Sequence, residues 1–395
     1  MFIYLLLAVL LLLSEFLLEL YHVKERRTVF IVIAFTLLSV LSCLRDFSVG
    51  TDTEQFVNSF LYFSKRGFSA VNFHEVYEPG YVLYQVLLSK ISTNPRVLIA
   101  VSSLFINFAV LRFIKLYSKD YFISVCIYVF TCQFLASMCM MRQFIAIAIC
   151  LLAFPLLLKK KYICYGLLIL LSASFHYFAL LYLVLIPIHI VKRLPLRWLI
   201  TCLSVYALVY VLTPRLVLFV IKHVDNYNDY LIYLEKVGEG ATLRIPPMLF
   251  VCIAVLLPVY LLERSKTRHY KTVFNYRGNN YEFMHLTYLF LICIVLLAGR
   301  FGLLTRVYYY FTPYLCLIPN MLHLEQESTW KDRANLLDYV VPKRQWLAYP
   351  GMLLIKPASD WKVYYACATL SIFGVSLLLG MGTYGTENYR FLSSF

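Results

Sequence analysis

Arg142 and Gln143 interrupt an apolar stretch, "SMCMMRQFIAIAIC" (137–150), directly after Met138, Cys139, Met140 and Met141. A charge at the rim of hydrocarbon costs free energy unless something polar meets it, which makes such an arginine a functional candidate. Arg300 and Arg306 occupy the same kind of setting in "AGRFGLLTRVYYYFTPY" (298–314), with Gly302 between them to allow a bend. Arg45 opens a further boundary, "RDFSVGTDTEQF" (45–56), where snorkelling to head groups explains it as well as ligand binding does. Guanidinium forks match phosphate oxygens in pairs and never lose their charge. Arginines from several spans at one membrane face therefore suit a diphosphate, and would stabilise a departing pyrophosphate without a metal.

Three groups are placed to take a proton. Glu78 stands directly before Pro79 in "HEVYEPGYVLY" (74–84), which reads as a helix start with proline at the first helical position. Its carboxylate either caps that helix or faces a lumen just outside the bilayer, and the two roles are compatible. Asp52 follows Gly50 and Thr51, a tight-turn context in which aspartate commonly bonds its own backbone. His176 sits among Phe175, Tyr177 and Phe178, either as a hydrogen-bonded core residue or as a base or phosphate donor.

The elements that must position these groups are membrane spans. Of the 395 residues, 61% are hydrophobic and only 14% charged, a balance that a soluble chain of this length does not show. Apolar runs at 2–20, 28–44, 97–116, 121–140, 143–158, 162–175, 177–191, 198–213, 246–262, 283–299, 303–322 and 363–381 mostly approach the ~20 residues a helix needs to cross hydrocarbon. The expected fold is an all-α, polytopic integral membrane helical bundle of about 11–12 transmembrane helices, some short or re-entrant, in a single domain 1–395. The first run lacks a small-residue cleavage site and carries Glu15 and Glu19, so it reads as a retained span. All 11 cysteines lie in apolar runs without metal-ligand spacing, which makes them small core hydrophobes rather than a disulfide framework.

The net charge of +15 points to a membrane surface rather than nucleic acid, because the cations recur at alternate loops. Lys24, Arg26 and Arg27 mark one cytoplasmic turn; Arg112, Lys115 and Lys119 the next; Lys159, Lys160 and Lys161 the third. Lys192, Arg193 and Arg197, the basic loop 264–277 and the loop 323–362 continue the series. For this register to hold, the apolar stretch 162–191 must break into two short helices meeting near "SASFHYF" (172–178). The first outer loop is then 45–96, with an amphipathic helix from Tyr81 to Lys90, and the second is 214–245. Arg142 and His176 fall on the same outer side. Most of the 33 tyrosines, including Tyr308, Tyr309, Tyr310 and Tyr314, suit an interfacial aromatic belt. There is no Asp-x-Asp pair, glycine-rich phosphate loop, Walker sequence or zinc spacing.

In order along the chain, "RDFSVGTD" (45–52), "YEPGY" (77–81), "MRQFIAIAICLLA" (141–153) and the histidine of "SASFHYFALL" (172–181) resemble the EpsG-like branch of Wzy-type polymerases, which make O-antigen, capsule and exopolysaccharide. Weaker similarity continues at Arg300, Arg306 and "ENYRF" (387–391). The resemblance implies a multi-span glycosyltransferase of the bacterial inner membrane, acting at the periplasmic face. It would move a growing glycan from undecaprenyl diphosphate onto an incoming lipid-linked repeat unit. No cofactor, metal or nucleotide sugar is implied; a flippase and a chain-length regulator are the implied partners. On this chain the resemblance assigns diphosphate binding to Arg142, Arg300, Arg306 and, more weakly, Arg45. It assigns base catalysis to His176, Glu78 or Asp52, in that order, and substrate contacts to Gln143, Tyr81, Tyr308 and Tyr309. Tyr227, Tyr230 and Tyr233 of the second outer loop are sugar-stacking candidates.

Three other classes share parts of this pattern. A lipid-linked oligosaccharide flippase would spread its cations through the bilayer depth, whereas here they cluster at the outer rim. An O-antigen ligase-like transferase uses closely similar chemistry. A membrane acyltransferase would need a histidine paired with a hydroxyl or carboxylate inside the bundle, for which His176 is the one candidate.

Overall fold

A computed structural model of the chain describes residues 2–72, 77–191, 204, 206–208, 211–212, 275–276, 279–280, 283–300, 305–317 and 319. The expected spans 246–262 and 363–381, most of 198–213, the loops 214–245 and 323–362, Tyr227, Tyr230, Tyr233 and the "ENYRF" stretch lie outside the described residues. The architecture is helical. Along the chain run α1 (Phe2–Leu20), α2 (Arg26–Cys43), α3 (Thr53–Arg66), α4 (Pro79–Ile91), α5 (Arg96–Tyr117), α6 (Tyr121–Phe130), α7 (Gln133–Cys139), α8 (Met141–Leu158), α9 (Tyr162–Ala173) and α10 (Leu185–Val191), followed by α11 (Met284–Arg300) and α12 (Thr305–Tyr308). Short 3₁₀ segments occupy Gly67–Asn72, Tyr177–Val184 and Thr312–Leu317, and the strands at Asn275–Tyr276 and Asn279–Asn280 are two residues each.

Among the described residues, α1, α2, α5 and α8 are long and apolar enough to cross a bilayer, and α6 with α7 makes a fifth, broken span. The helices start and stop where the charges sit. Arg26 opens α2, Arg96 opens α5, Lys159 follows α8, and Lys161 precedes α9. The apolar stretch 162–191 does break, with α9 ending at Ala173 and helical turns resuming at Tyr177. The run 121–140, expected as one span, is instead two helices bent by 51°. Cys132 causes the break: it adopts a left-handed φ of 60°, a conformation no α-helix continues through. At the bend Thr131 Oγ1 donates to Ile127 O and accepts from Gln133 Nε2.

The chain divides into two compact units, one of Met1–Leu180, Tyr276–Gly278 and Pro313–Phe395, the other of Leu181–Asn275 and Asn279–Thr312. In the first unit, α6 from Phe122 onward and all of α7 are buried, while α1, α2 and α9 carry exposed leucine, valine and isoleucine of the kind that faces lipid. Lipid is as apolar as leucine, so helices there associate through packing and polar pairs. The α2–α5 contact follows that rule: Asn107 Nδ2 donates to Ser39 Oγ and Ser42 Oγ at 3.3 and 3.1 Å, and all three residues are buried. Around Tyr314 an aromatic cluster joins Phe113, Tyr117 and Phe154 of α5 and α8.

The ends of this unit differ in chemistry. At one end Arg26 pairs with the buried Glu15 at 2.5 Å and with Tyr121 Oη at 2.9 Å, and Arg27 donates to Ser118 O at the close of α5. The carboxylate that interrupts the first apolar run is thus neutralised by the cation that starts the second. Lys159, Lys160 and Lys161, at the far end of α8 from Arg142, lie about 25 Å along the helix axis from it. At the other end Arg96 Nη1 donates to Arg45 O, and the helix starts and stops of α3, α4, α8 and α9 meet. The second unit packs α11 against α10 and α12; His189 stands edge-on to Phe283 at 4.9 Å, and Tyr182 stacks on Phe311 at 5.4 Å.

Candidate functional site

Arg142 is the second residue of α8, so α8 lifts its guanidinium to the rim of the bundle. There Nη1 donates to Glu78 Oε2, in an ion pair that joins residues 64 apart in the sequence. Glu78 occupies the N-cap position of α4 with extended backbone, and Pro79 follows at the first helical position as the sequence suggests. Its carboxylate makes no capping bond to the helix. The second oxygen, Oε1, instead accepts the Tyr177 N–H at 3.1 Å, just past the break after α9. Three separate elements therefore meet on one carboxylate.

Gly80 makes this meeting possible. Its N–H donates to Ser174 O at 2.9 Å, and the Tyr81 N–H reaches the same oxygen at 3.3 Å. A Cβ on Gly80 would fall 2.1 Å from Ser174 Oγ and 2.8 Å from Ser174 O, so only glycine lets α4 start this close to the turn. The Ser174 carbonyl, left over by the end of α9, thereby satisfies the orphan amides that open α4.

Aromatic rings wall one side of the pair. The Arg142 guanidinium carbon lies 5.0 Å from the Tyr77 ring centroid, a cation–π distance. Tyr77 packs with Phe56, Phe63 and Tyr81, and Tyr81 with Tyr84, in tilted or edge-on pairs 5.7–6.5 Å apart. Burial pushes the Tyr77 and Tyr81 hydroxyls above their ordinary range, Tyr81 far more, and Arg142 opposes that shift in both. Burial also raises Tyr84 to about 12, against the pull of its hydrogen bond with Ser102. The wall is accordingly neutral at physiological pH. Tyr81 Oη is completely buried and has no hydrogen-bond partner among the described residues.

Asp52 sits on the flank, at the N-cap of α3, half-buried and in a hydrogen bond with Thr51 Oγ1 at 3.1 Å. Thr51 in turn contacts Cys139 Sγ at 2.7 Å, which ties the loop before α3 to the end of α7. His176 is 8% exposed; its ring lies 5.7 Å from that of Phe178, and its N–H donates to Ser172 O. The residue after it, Tyr177, supplies the amide held by Glu78, so His176 borders the site through its backbone. Gln143, next to Arg142, is turned into the bundle and buried.

Arg45 occupies a different place from Arg142. It is 1% exposed, with Nη1 on Ser42 O at 3.1 Å and Nη2 on Met138 O at 3.0 Å. Both carbonyls belong to helix C-termini, of α2 and α7, where a cation offsets the local negative end of the helix dipole. The guanidinium thus clamps two helix ends. Arg300 closes α11 and Arg306 lies exposed in α12, beside the buried pair Tyr308 and Tyr309 with ring centroids 4.4 Å apart; all four belong to the second unit.

The structure brings Glu78, Tyr81 and Arg142 together, with Asp52 and the His176–Tyr177 turn at their border. Tyr77, Gly80 and Ser174 complete the arrangement and escape a reading based on charge. Their signal is present in "YEPGY": a carboxylate, proline and glycine flanked by two aromatics mark a helix start that something approaches closely. Among the described residues no three His, Cys, Asp or Glu side chains gather closely enough to hold a metal ion.

A family model described as the EpsG family matches residues 28–336, a stretch that holds the Glu78–Arg142 arrangement together with Arg300 and Arg306. Comparison with curated proteins and with solved structures gave no match.

Proposed function

The chain belongs to the EpsG family, a family of polysaccharide polymerases, and from that premise we propose that it extends a glycan at the extracytoplasmic face of a bacterial inner membrane. The donor is a growing chain carried on undecaprenyl diphosphate, and the acceptor is the sugar of an incoming lipid-linked repeat unit. The observation that carries this reading is Arg142. Its guanidinium is the partly exposed member of a pair at a bundle rim, 19% accessible, with its fork oriented by Glu78 and its face backed by Tyr77. A cation so held at the depth of lipid head groups can take the two non-bridging oxygens of a lipid phosphate.

Charge supports the side of the membrane in this reading. Lys24, Arg26, Arg27, Lys115, Lys119 and Lys159–Lys161 flank the ends of α1, α2, α5, α8 and α9 opposite to the Glu78–Arg142 end. The positive-inside rule puts those lysine-rich ends in the cytoplasm, and the pair outside. Nucleotide sugars are cytoplasmic, whereas a lipid-linked donor delivered by a flippase is available outside. A chain-length regulator is the natural partner in this reading.

In the reaction the acceptor hydroxyl attacks the anomeric carbon of the donor, the bond from that carbon to phosphate breaks, and the lipid diphosphate leaves with the electron pair. Arg142 stabilises the charge that grows on the leaving oxygen, an electrostatic contribution that requires no cofactor. The test is reconstitution of the purified protein in liposomes with a polyprenyl-diphosphate-linked oligosaccharide, without nucleotide. A ladder of lengthened glycans is expected; movement of the substrate between leaflets with no ladder would reassign the protein as a transporter.

A further inference from the structure

The Glu78–Arg142 pair has two properties that do not belong to a purely structural salt bridge. Arg142 is partly open to solvent, while Glu78 is 6% exposed and retains a second, independent anchor on the Tyr177 N–H. Withdrawal of Arg142 would therefore leave Glu78 fixed in place, with one oxygen vacated and facing the position the guanidinium had held. Next to them Tyr81 carries a buried hydroxyl with no partner among the described residues, a donor that a bound oxygen could engage.

We propose that Glu78 is the general base of the transfer and that the resting ion pair is its mask: the donor diphosphate takes Arg142 away from Glu78, and Glu78 Oε2 then accepts the acceptor hydroxyl proton. This rests on the reading of Arg142 as the diphosphate ligand. While paired with Arg142 the carboxylate is neutralised and its Oε2 is engaged. When the diphosphate binds, its two negative charges outcompete the single charge of Glu78, and the carboxylate regains a free lone pair beside the reacting centre. The proton moves from the sugar hydroxyl to Oε2, the glycosidic bond forms, and the broken C–O bond's electrons leave with the lipid diphosphate that Arg142 now holds. Release of that product lets Arg142 return and the proton pass to water. Base activity is thereby confined to the loaded enzyme, which keeps an activated carboxylate from delivering water to the donor carbon before an acceptor arrives.

A competing pair predicts a signature that a positioning role does not. If Glu78 competes with diphosphate for Arg142, removing its charge must tighten diphosphate binding while abolishing transfer. If Glu78 only orients Arg142, removing it must weaken both. The measurement is the affinity of purified protein for farnesyl diphosphate, a short soluble polyprenyl diphosphate, alongside ladder formation. For Glu78→Gln the expected result is binding at least threefold tighter than wild type, with polymerisation lower by about 10²-fold or more, as for loss of a general base. Weaker binding together with lost polymer, or normal polymerisation, overturns the proposal. Glu78→Asp keeps the charge and serves where the glutamine variant fails to fold: a shortened carboxylate should loosen the pair, tighten diphosphate binding and slow transfer, and weaker binding overturns the proposal here too. Arg142→Met separates the two levels of argument, since unchanged farnesyl diphosphate affinity there would remove the diphosphate site itself.

Discussion

The amide of Gly80 donates to the carbonyl of Ser174 at 2.9 Å, and a methyl group at Gly80 would stand 2.1 Å from the Ser174 hydroxyl oxygen. That one close approach sets the start of α4 against the turn after α9, and so fixes Glu78 between Arg142 and the Tyr177 amide. Gly80→Ala should push α4 outward, cost about 1–3 kcal/mol of stability as an overpacked contact, and abolish ladder formation. Because the Ser174 carbonyl also lies within 2.8 Å of the added carbon, Ser174→Ala should not restore activity. Full activity of Gly80→Ala in liposomes would show that the α4–α9 approach is dispensable.

Removing Arg142 alone strands a buried carboxylate. Arg142→Ala should lower stability by about 3 kcal/mol, the low end for a broken buried pair because the arginine is partly exposed. The double variant Arg142→Ala with Glu78→Gln should recover most of that loss and none of the polymerisation. Thermal melting in detergent across the four proteins of the cycle measures the coupling directly. Additive effects would mean that the two side chains do not interact.

Arg45 gives the contrasting outcome. Its guanidinium is spent on Ser42 O and Met138 O; Ser103 Oγ also reaches Ser42 O at 3.4 Å, so Arg45→Ala should cost about 1–3 kcal/mol, chiefly through the Met138 carbonyl. The yield of folded protein should fall. The fraction that does fold should bind farnesyl diphosphate within twofold of wild type; a tenfold loss would return Arg45 to the list of phosphate ligands.

Tyr81→Phe removes a buried hydroxyl that has no partner among the described residues. The change should leave stability unaltered or raise it by about 1 kcal/mol, since a desolvated hydroxyl is lost without a bond. Donor affinity should drop severalfold if that hydroxyl turns to a phosphate oxygen on binding. Equal affinity with raised stability would assign Tyr81 to the aromatic wall alone.

The orientation is open to labelling. In a background lacking the exposed Cys164 thiol, Lys65→Cys on α3 should react with a membrane-impermeant maleimide in intact spheroplasts, and Lys159→Cys after α8 only once the membrane is opened. The opposite pattern would place the Glu78–Arg142 site in the cytoplasm and exclude a flippase-delivered donor.

Hydropathy and charge were enough to locate α1, α2, α5 and α8, the short helices either side of His176, and the alternation of basic ends, because each depends on local transfer energies that the chain carries in its own composition. The same local reasoning marked Arg142 as anomalous and Glu78 as the start of a helix before Pro79. It ranked Arg45 below Arg142 only because snorkelling explained Arg45 equally well, and it had no means of seeing that Arg45 turns inward onto helix ends. Nor could it show that Cys132, an ordinary hydrophobe by composition, breaks its span by adopting a left-handed backbone. Those differences were decided by packing. Arg45 is turned inward onto carbonyls of α2 and α7, whereas Arg142 meets a carboxylate 64 residues distant that is held by a third element. Which charge is consumed by the fold and which is left to meet a ligand depends on neighbours that only folding brings within reach.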